Sequence, residues 1–554
     1  MPRRTPIVAI APGFARVIPG GFTSILVVTF LMGPADGLAA DTPPEAPRQT
    51  PEQSAPLRAL AASESGLDSS QAPQEQSAAP TAFAAPAPKP VLQWGAGEAR
   101  SFWVPAYEIP AYELLLNRFD HYAVDAATYP SPITNFKNNL HRSWVVDNDT
   151  FATNQFLHPY EGAVYQGFAR SAGLTFWQAS AYTFAGSLLW EEAGENTAPS
   201  INDQVATGIG GNFFGEPLFR MASLLLETDS GDRPAWWREV AATIIAPSMG
   251  FNRLVYGKRF VPVFRSYDPA VFTRVDIGAN LSTHFSSNVN VNADPSAPPA
   301  GQTLDVGKEV ASFTMSYGLP GKPEYEYTRP FDYFDFQLAL DTSNAVESVF
   351  SRGLLYGTDY GAGNYRGIWG LYGVYDYVAP NIFRVSNTAG ALGTTGQWWL
   401  SQKVALQGSA LAGVGYAGGG VIHGSGVRPP GPLGDGQRNY HYGVAPESVL
   451  DMRLIFGDRV ALDASARGYY ISRVGATESQ GSETIDTVDV ALTVRVFELH
   501  GITIRYQSSH RDGRYAADPD SQQRVSTINI GYTLLGHARF GAVDWRPGST
   551  VSSE

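Results

Sequence analysis

The sequence predicts an α+β membrane protein in which an N-terminal helical domain precedes an antiparallel transmembrane β-barrel of about twelve strands. Three observations lead there. Apolar residues recur at helical spacing as far as residue 265 and at alternate positions from about residue 270 onward. Several alternating segments persist for about ten residues, the length of a tilted membrane-crossing strand, whereas strands of soluble proteins usually run about five or six. A secretory leader opens the chain, and no later apolar run is long enough for a helical span.

The elements follow in order. Arg3 and Arg4 precede the apolar run Phe22 to Met32, and small residues end at Ala39-Ala40, so residues 1–40 read as a signal peptide. Residues 41–90 are dominated by Pro, Ala, Gln and Ser and carry too few large apolar side chains to offset ordering, which predicts a disordered linker. The helical domain is expected over 91–265, resuming near Trp94. From Tyr112 to Tyr122 a short amphipathic helix is expected, with Leu114, Leu115, Phe119 and Tyr122 on one side.

Pro159 suits a first helical position, where its missing N–H costs nothing, and Gly173 suits a left-handed helix end. Thr175 and Gln178 form a capping-box pattern that starts a helix running to about Glu192. Ser200 is placed to cap the next helix, with Asp203 in its positively polarised first turn. Along that helix Asp203, Thr207, Gly211 and Gly215 recur every fourth position and make a groove for a close neighbour. Pro217 should kink or restart the helix. A last short helix is expected from Pro234 to just before Pro247.

The barrel is expected over 266–540, followed by a tail over 541–554. Val488, Val490, Leu492, Val494 and Val496 alternate with Asp489, Ala491, Thr493 and Arg495. Leu450 to Phe456, Ile502 to Tyr506 and Ile528 to Leu534 repeat the pattern. A sandwich of two sheets is the competing architecture, but strand length favours the barrel. Charges of both signs on the polar faces, including Asp451, Arg453, Asp463, Arg467, Asp489 and Arg505, are expected to pair across a lumen. Outer-membrane barrels commonly end on an aromatic residue, so Phe540 is either that end signal or part of a tail that folds back.

Composition narrows the function. Charged residues are 16% of the chain and the net charge is -13, with no basic stripe, which excludes nucleic-acid binding. With no Cys there is no disulfide, thiolate metal site or Cys nucleophile. The 57 Gly and 27 Tyr suit tight turns and membrane-interface rings.

Two groups of residues carry candidate chemistry. His158, Glu195, Asp203 and Glu216, with Glu191 and Glu192 nearby in sequence, contain what a general acid/base site or a carboxylate-rich metal site would need. The same residues also serve as a polar scaffold, with Asp203 and Ser200 as caps and Glu216 paired to Arg220 one turn on. No H-E-x-x-H motif is present, so neither a metal nor a cofactor is expected. The second group is His284 and Ser286, which share one face of a strand as a possible base and nucleophile. This H-x-S pair resembles those of outer-membrane phospholipases and lipid A deacylases. Gly208-Ile-Gly-Gly211 lies within a helix pattern and lacks a phosphate-loop ending.

His158-Pro-Tyr-Glu-Gly162, Trp190-Glu-Glu-Ala-Gly-Glu195, Ser200-Ile-Asn-Asp203 and Gly215-Glu216 carry a further likeness over residues 120–250. That stretch resembles an uncharacterised bacterial envelope family, catalogued as a domain of unknown function, in which such segments precede a barrel-like half. The resemblance implies an envelope protein and supplies no reaction. The expectation is therefore a Gram-negative outer-membrane barrel whose helices face the periplasm at its mouth or plug its lumen, in a structural, binding or transport role. An outer-membrane lipid hydrolase is the alternative. Outer-membrane lipids, and a lipid or small solute, are the partners expected.

Overall fold

Strands that alternate apolar and polar side chains segregate the two sets onto opposite faces, and closing the sheet shelters the polar face without leaving an unpaired edge. That is what the chain does. The computed structural model describes residues 100–546 except 148, 229–233, 257–263, 288–302, 305–307, 343–344, 381, 422–439, 475–480 and 516–519. The leader, the linker and Trp94 lie outside the described residues.

Twelve strands form the wall: β1 Val271–Ser287, β2 Glu309–Tyr317, β3 Phe334–Asp341, β4 Ser348–Ala362, β5 Tyr365–Val378 and β6 Phe383–Trp399, then β7 Val404–Val421, β8 Tyr440–Phe456, β9 Val460–Ile471, β10 Gly481–Phe497, β11 His500–Tyr515 and β12 Ser521–Leu535. Each pairs antiparallel with its neighbour in sequence, and β12 returns to β1 with Arg274 opposite Leu535. A two-residue strand, Thr303–Leu304, lies beside β1. Both barrel termini sit at the end where β4 and β5, β6 and β7, β8 and β9, and β10 and β11 are joined by connections of a few residues. We call this the short-turn end.

The polar faces point inward and pair across the lumen. Arg274 Nη1 lies 2.7 Å from Asp463 Oδ2, and Arg453 Nε lies 2.6 Å from Asp463 Oδ1. Arg352 bridges Asp451 and Asp335, while Arg505 stands 3.5 Å from Asp276 and 3.6 Å from Asp489. The outward set is apolar: Leu492, Val494, Ile504 and Ile530 are all exposed.

Ahead of the barrel come α1 Trp103–Ala123, α2 Pro132–Asn139, α3 His158–Ser171, α4 Phe176–Leu189, α5 Ile201–Val205, α6 Gly211–Leu226, α7 Trp236–Ile245 and α8 Pro247–Val255. Wide π turns, Thr153–Leu157, Trp190–Gly194 and Ala206–Gly210, precede α3, follow α4 and join α5 to α6. Local signals act as expected. Thr175 and Gln178 complete their capping box, Ser200 Oγ accepts from Asp203 N, and Gly173 ends α3 at φ 85°. The small-residue groove is filled by α3, so close that a Cβ on Gly162 would lie 2.1 Å from Thr207 O. Pro217 does not restart the helix, which is continuous from Gly211 to Leu226. Lacking an N–H, it leaves the Phe213 carbonyl without its helical donor, and Ser351 of β4 supplies one through its hydroxyl.

That bond shows where the helices sit. Ser351 alternates with the inward-facing Phe350 and Arg352, so it points outward. Tyr375, which donates to Gln155 O at 2.7 Å, and Tyr442, which accepts from Gln155 Nε2 at 2.7 Å, likewise belong to the outward sets of β5 and β8. Phe156, Phe213 and Phe214 pack on Phe336, Tyr375 and Tyr377 in one large apolar cluster. The helical layer therefore lies against the outer wall of β2 to β8. The expected position, at the mouth or inside the lumen, is corrected: the aromatic outer wall gives the apolar side chains of the helices a surface to pack on, whereas the middle of the lumen is lined with charge.

The lumen has other occupants. At the short-turn end the C-terminal tail folds back, burying Phe540 among Phe272, Trp399, Ile455 and Leu535. Gln397 Nε2 and Trp399 Nε1 both donate to Val543 O, at 2.6 and 3.0 Å. At the other end Ile382, Phe383, Tyr469, Ile471 and Ile485 form a second apolar cluster across the lumen.

Candidate functional site

Two polar centres are built by these elements, one within the helical layer and one in the lumen. In the first, the π turn before α3 carries His158 to the start of that helix, beside the first turn of α5. His158 Nδ1 lies 3.3 Å from Glu161 Oε2, and its Nε2 lies 3.8 Å from Asp203 Oδ2, an ion-pair distance rather than a hydrogen bond. Tyr165 OH donates to Glu161 Oε1 at 2.5 Å. On the other side Ser200 N donates to Glu191 Oε2 at 2.6 Å, and Asn202 Nδ2 donates to Asp147 Oδ1 at 2.8 Å and to Tyr442 Oη at 3.2 Å. The network thus reaches the barrel wall. Asp203 is fully buried and Glu191, Glu161 and Glu195 nearly so. Carboxylates held so close out of water cannot all be charged, so protons or the imidazolium must be shared among them.

Of the four residues expected to act together, the structure joins His158 and Asp203 and brings Glu195 near enough for its charge to act on both. Glu195 accepts from Thr197 Oγ1 at 2.7 Å, and its backbone carbonyl accepts from Asn139 Nδ2 at 2.9 Å. Glu216 belongs to a separate centre. Its two oxygens take Arg170 Nε at 2.7 Å and Arg220 Nε at 2.9 Å, and Arg220 Nη1 continues to Asp332 Oδ1 at 2.9 Å in the loop between β2 and β3. The pairing with Arg220 has the expected one-turn spacing. Arg170, 46 positions away, gives no local signal. Glu161 was legible as the third residue after His158; Tyr442 and Asp332 were not, because only the fold brings them near.

His284 and Ser286 lie toward the end of β1, opposite Ser526 and Arg524 of β12. A register shift at Asn280 to Ser282 places Thr283 inward and turns His284 outward, where it is exposed. The pair shares the outer face, as the two-residue spacing requires.

The second centre is the lumen between its two apolar clusters. A cavity of about 170 Å³ remains there, lined by Arg274, Asp335, Asp451, Arg467, Asp489 and Arg505 among others. Hydroxyls of Thr493, Thr503 and Thr533 form a chain that ends on Asp276 Oδ1 at 2.7 Å. The cavity's alternating guanidinium and carboxylate groups offer both hydrogen-bond donors and acceptors. Among the described residues no group of His, Asp and Glu is arranged to hold a metal ion.

A closed antiparallel barrel of even strand number, apolar outside and polar within, is the architecture of outer-membrane barrels. Residues 143–248 match the family described as a domain of unknown function (DUF3943), which bears out the resemblance in the helical half. No curated protein matches the chain. Among solved structures the chain is similar to the NanC porin, at 7% identity and a TM-score of 0.22 over 47% of this chain and 98% of that one. It is similar to the Pseudomonas putida toluene transporter TodX at 10% identity and a TM-score of 0.19, over 49% and 90%. Acinetobacter baumannii OccAB3 aligns at 8% identity and a TM-score of 0.18, over 48% and 99%.

Proposed function

We propose that the chain is a Gram-negative outer-membrane barrel that passes or holds a small hydrophilic solute in its lumen, with the C-terminal tail as a removable stopper. The observation that carries this reading is the contrast within the lumen. Its middle is a charged chamber, and its short-turn end is filled by residues that belong to no strand. A wall residue cannot leave without breaking the ladder, but a tail held by Gln397, Trp399 and Gln407 can. The acid/base reading of His158 and Asp203 has less support, since close-packed side chains surround the pair.

Planar-bilayer recordings test the proposal. The full chain should be nearly silent, and a chain ending at Gly536 should conduct several times more. Gln407→Ala in the full chain, which removes one anchor on Gly541 O, should give an intermediate rise. A truncated chain that keeps its folded heat shift yet stays silent would overturn passage through the lumen and the tail as its stopper.

A further inference from the structure

The helical layer is built with its polarity reversed. Along α1 the inward residues are Val104 and Ile109, the latter against Tyr165 and Phe168 of α3, together with Glu108, Glu113, Asn117 and Asp120, all buried, whereas Trp103, Tyr107, Leu114, Leu115 and Tyr122 are exposed, Tyr122 at 84%. A helix on a water-facing domain does the opposite. The apolar side foreseen for this helix exists, but it faces away from the protein. Helix α4 repeats the arrangement. It has no charged residue, it buries Thr183 and Ser187, and it exposes Trp177, Phe184 and Leu188 at helical spacing. Behind these helices lie the His158, Glu161 and Asp203 network and the Glu216 ion pairs, so charge is gathered inside and hydrocarbon outside. No described helix is long and apolar enough to cross a membrane alone. Here the polar residues that fail that criterion are the ones turned inward.

From this we infer that α1 and α4 are sheathed by the acyl chains of the bilayer, so that the helical layer stands in the membrane against the barrel wall. The inference rests on the outer-membrane reading above and extends it to an element with no membrane-spanning signal of its own. Continuity of surface supports the occupant. Where the wall is bare, its outward side chains are apolar, Leu462, Leu492, Ile504 and Ile530 on β9 to β12 and Trp369, Leu392, Val414 and Leu450 on the uncovered part of β5 to β8; where the helices lie against the wall, they present the next apolar surface. Level supports it as well. Gln155 and Asn202 hold Tyr442 toward one end of the barrel, and Arg220 holds Asp332 in the loop at the short-turn end, so the layer runs along the wall between them. Helix α1, with 21 residues, is about 31 Å long, close to the roughly 30 Å of a hydrocarbon core.

The absence of native Cys makes the test direct. Leu114→Cys and Phe184→Cys, with Leu492→Cys on bare barrel wall and Asp125→Cys on an exposed turn as controls, are labelled with a small fluorophore. The full-length protein is then reconstituted in phosphatidylcholine vesicles brominated at mid-chain. Labels at 114 and 184 should be quenched as strongly as the label at 492, and the label at 125 should not. Quenching at 492 alone, with 114 and 184 reacting with a membrane-impermeant maleimide, would overturn the inference and leave the barrel in the membrane. Protection of 114 and 184 from both reagents would overturn it too, because a protein segment or second copy would then be the occupant. Failure of 492 to quench would instead defeat the outer-membrane reading beneath it.

Discussion

Glu216 is the residue on which most buried charge depends. It has no exposed surface, two guanidinium groups converge on it, and the Arg170 and Arg220 side chains also lie over the ring of Phe264 at 5.0 and 4.5 Å. Removing one partner of a buried ion pair leaves the other uncompensated, which typically costs about 3 to 5 kcal/mol. Glu216→Ala should therefore lower the temperature of the folded-to-unfolded gel shift markedly, and Glu216→Gln should do so too because both cations remain. Unchanged heat stability in both variants would refute a scaffold role. At the tail, hydrogen bonds from Arg546 hold the Asp544 carboxyl down at about 2. A depressed acid stabilises the fold above its ordinary value of about 4 and loses that contribution as pH falls through the folded value. The tail clasp should thus be unchanged above about pH 4 and weaken progressively from there down to about pH 2, the range over which the recorded conductance of the full chain should rise.

Strands and helices in this protein obey the same segregation with opposite partners. On β10, Leu492 is exposed on the outer face while Thr493 is buried in the lumen, bonded to Thr503 Oγ1 at 2.8 Å. Leu492→Arg should cost roughly 2 to 4 kcal/mol if it lies near the bilayer midplane. Thr493→Ser, which keeps the hydroxyl and removes one buried methyl group, should cost no more than about 1 kcal/mol. Urea titration of both variants refolded into vesicles measures the difference, and equal sensitivity would contradict the assignment of faces. Helix α6 shows a different economy: a proline inside the helix frees one carbonyl, and a strand of the barrel takes it up. An element that breaks a propensity rule is here matched to its neighbour by that very break.

At the scale of the whole molecule the barrel and its helical layer form one unit, joined through the aromatic cluster and the bonds to Tyr375, Ser351 and Tyr442. Twelve strands closed by β1 and β12 have no edge at which unfolding can begin cheaply. The mature chain should fractionate with outer membranes and run at a different gel position before and after boiling. Recovery as a soluble periplasmic protein with no heat shift would contradict the membrane reading.

Local and periodic features were legible in the sequence because short-range sterics and hydrogen bonding set them. The capping box at Thr175, the cap at Ser200, the left-handed close at Gly173 and the alternating strands all depend on near neighbours. The lumen charges were legible too, since a polar set of both signs on one face has to find partners. What the sequence could not decide was the partner of each face. Leu114, Leu115 and Phe119 read as one side of an amphipathic helix, and periodicity reports only that such a face is apolar; it says nothing of whether protein or another medium covers it. The placement of the helices on the outer wall, the meeting of Arg170 with Glu216, and the return of Phe540 into the lumen depend on contacts far apart in the chain. Those were decided by tertiary structure, which sets the aromatic wall of β2 to β5 against the helices and the mouth of the lumen against the tail.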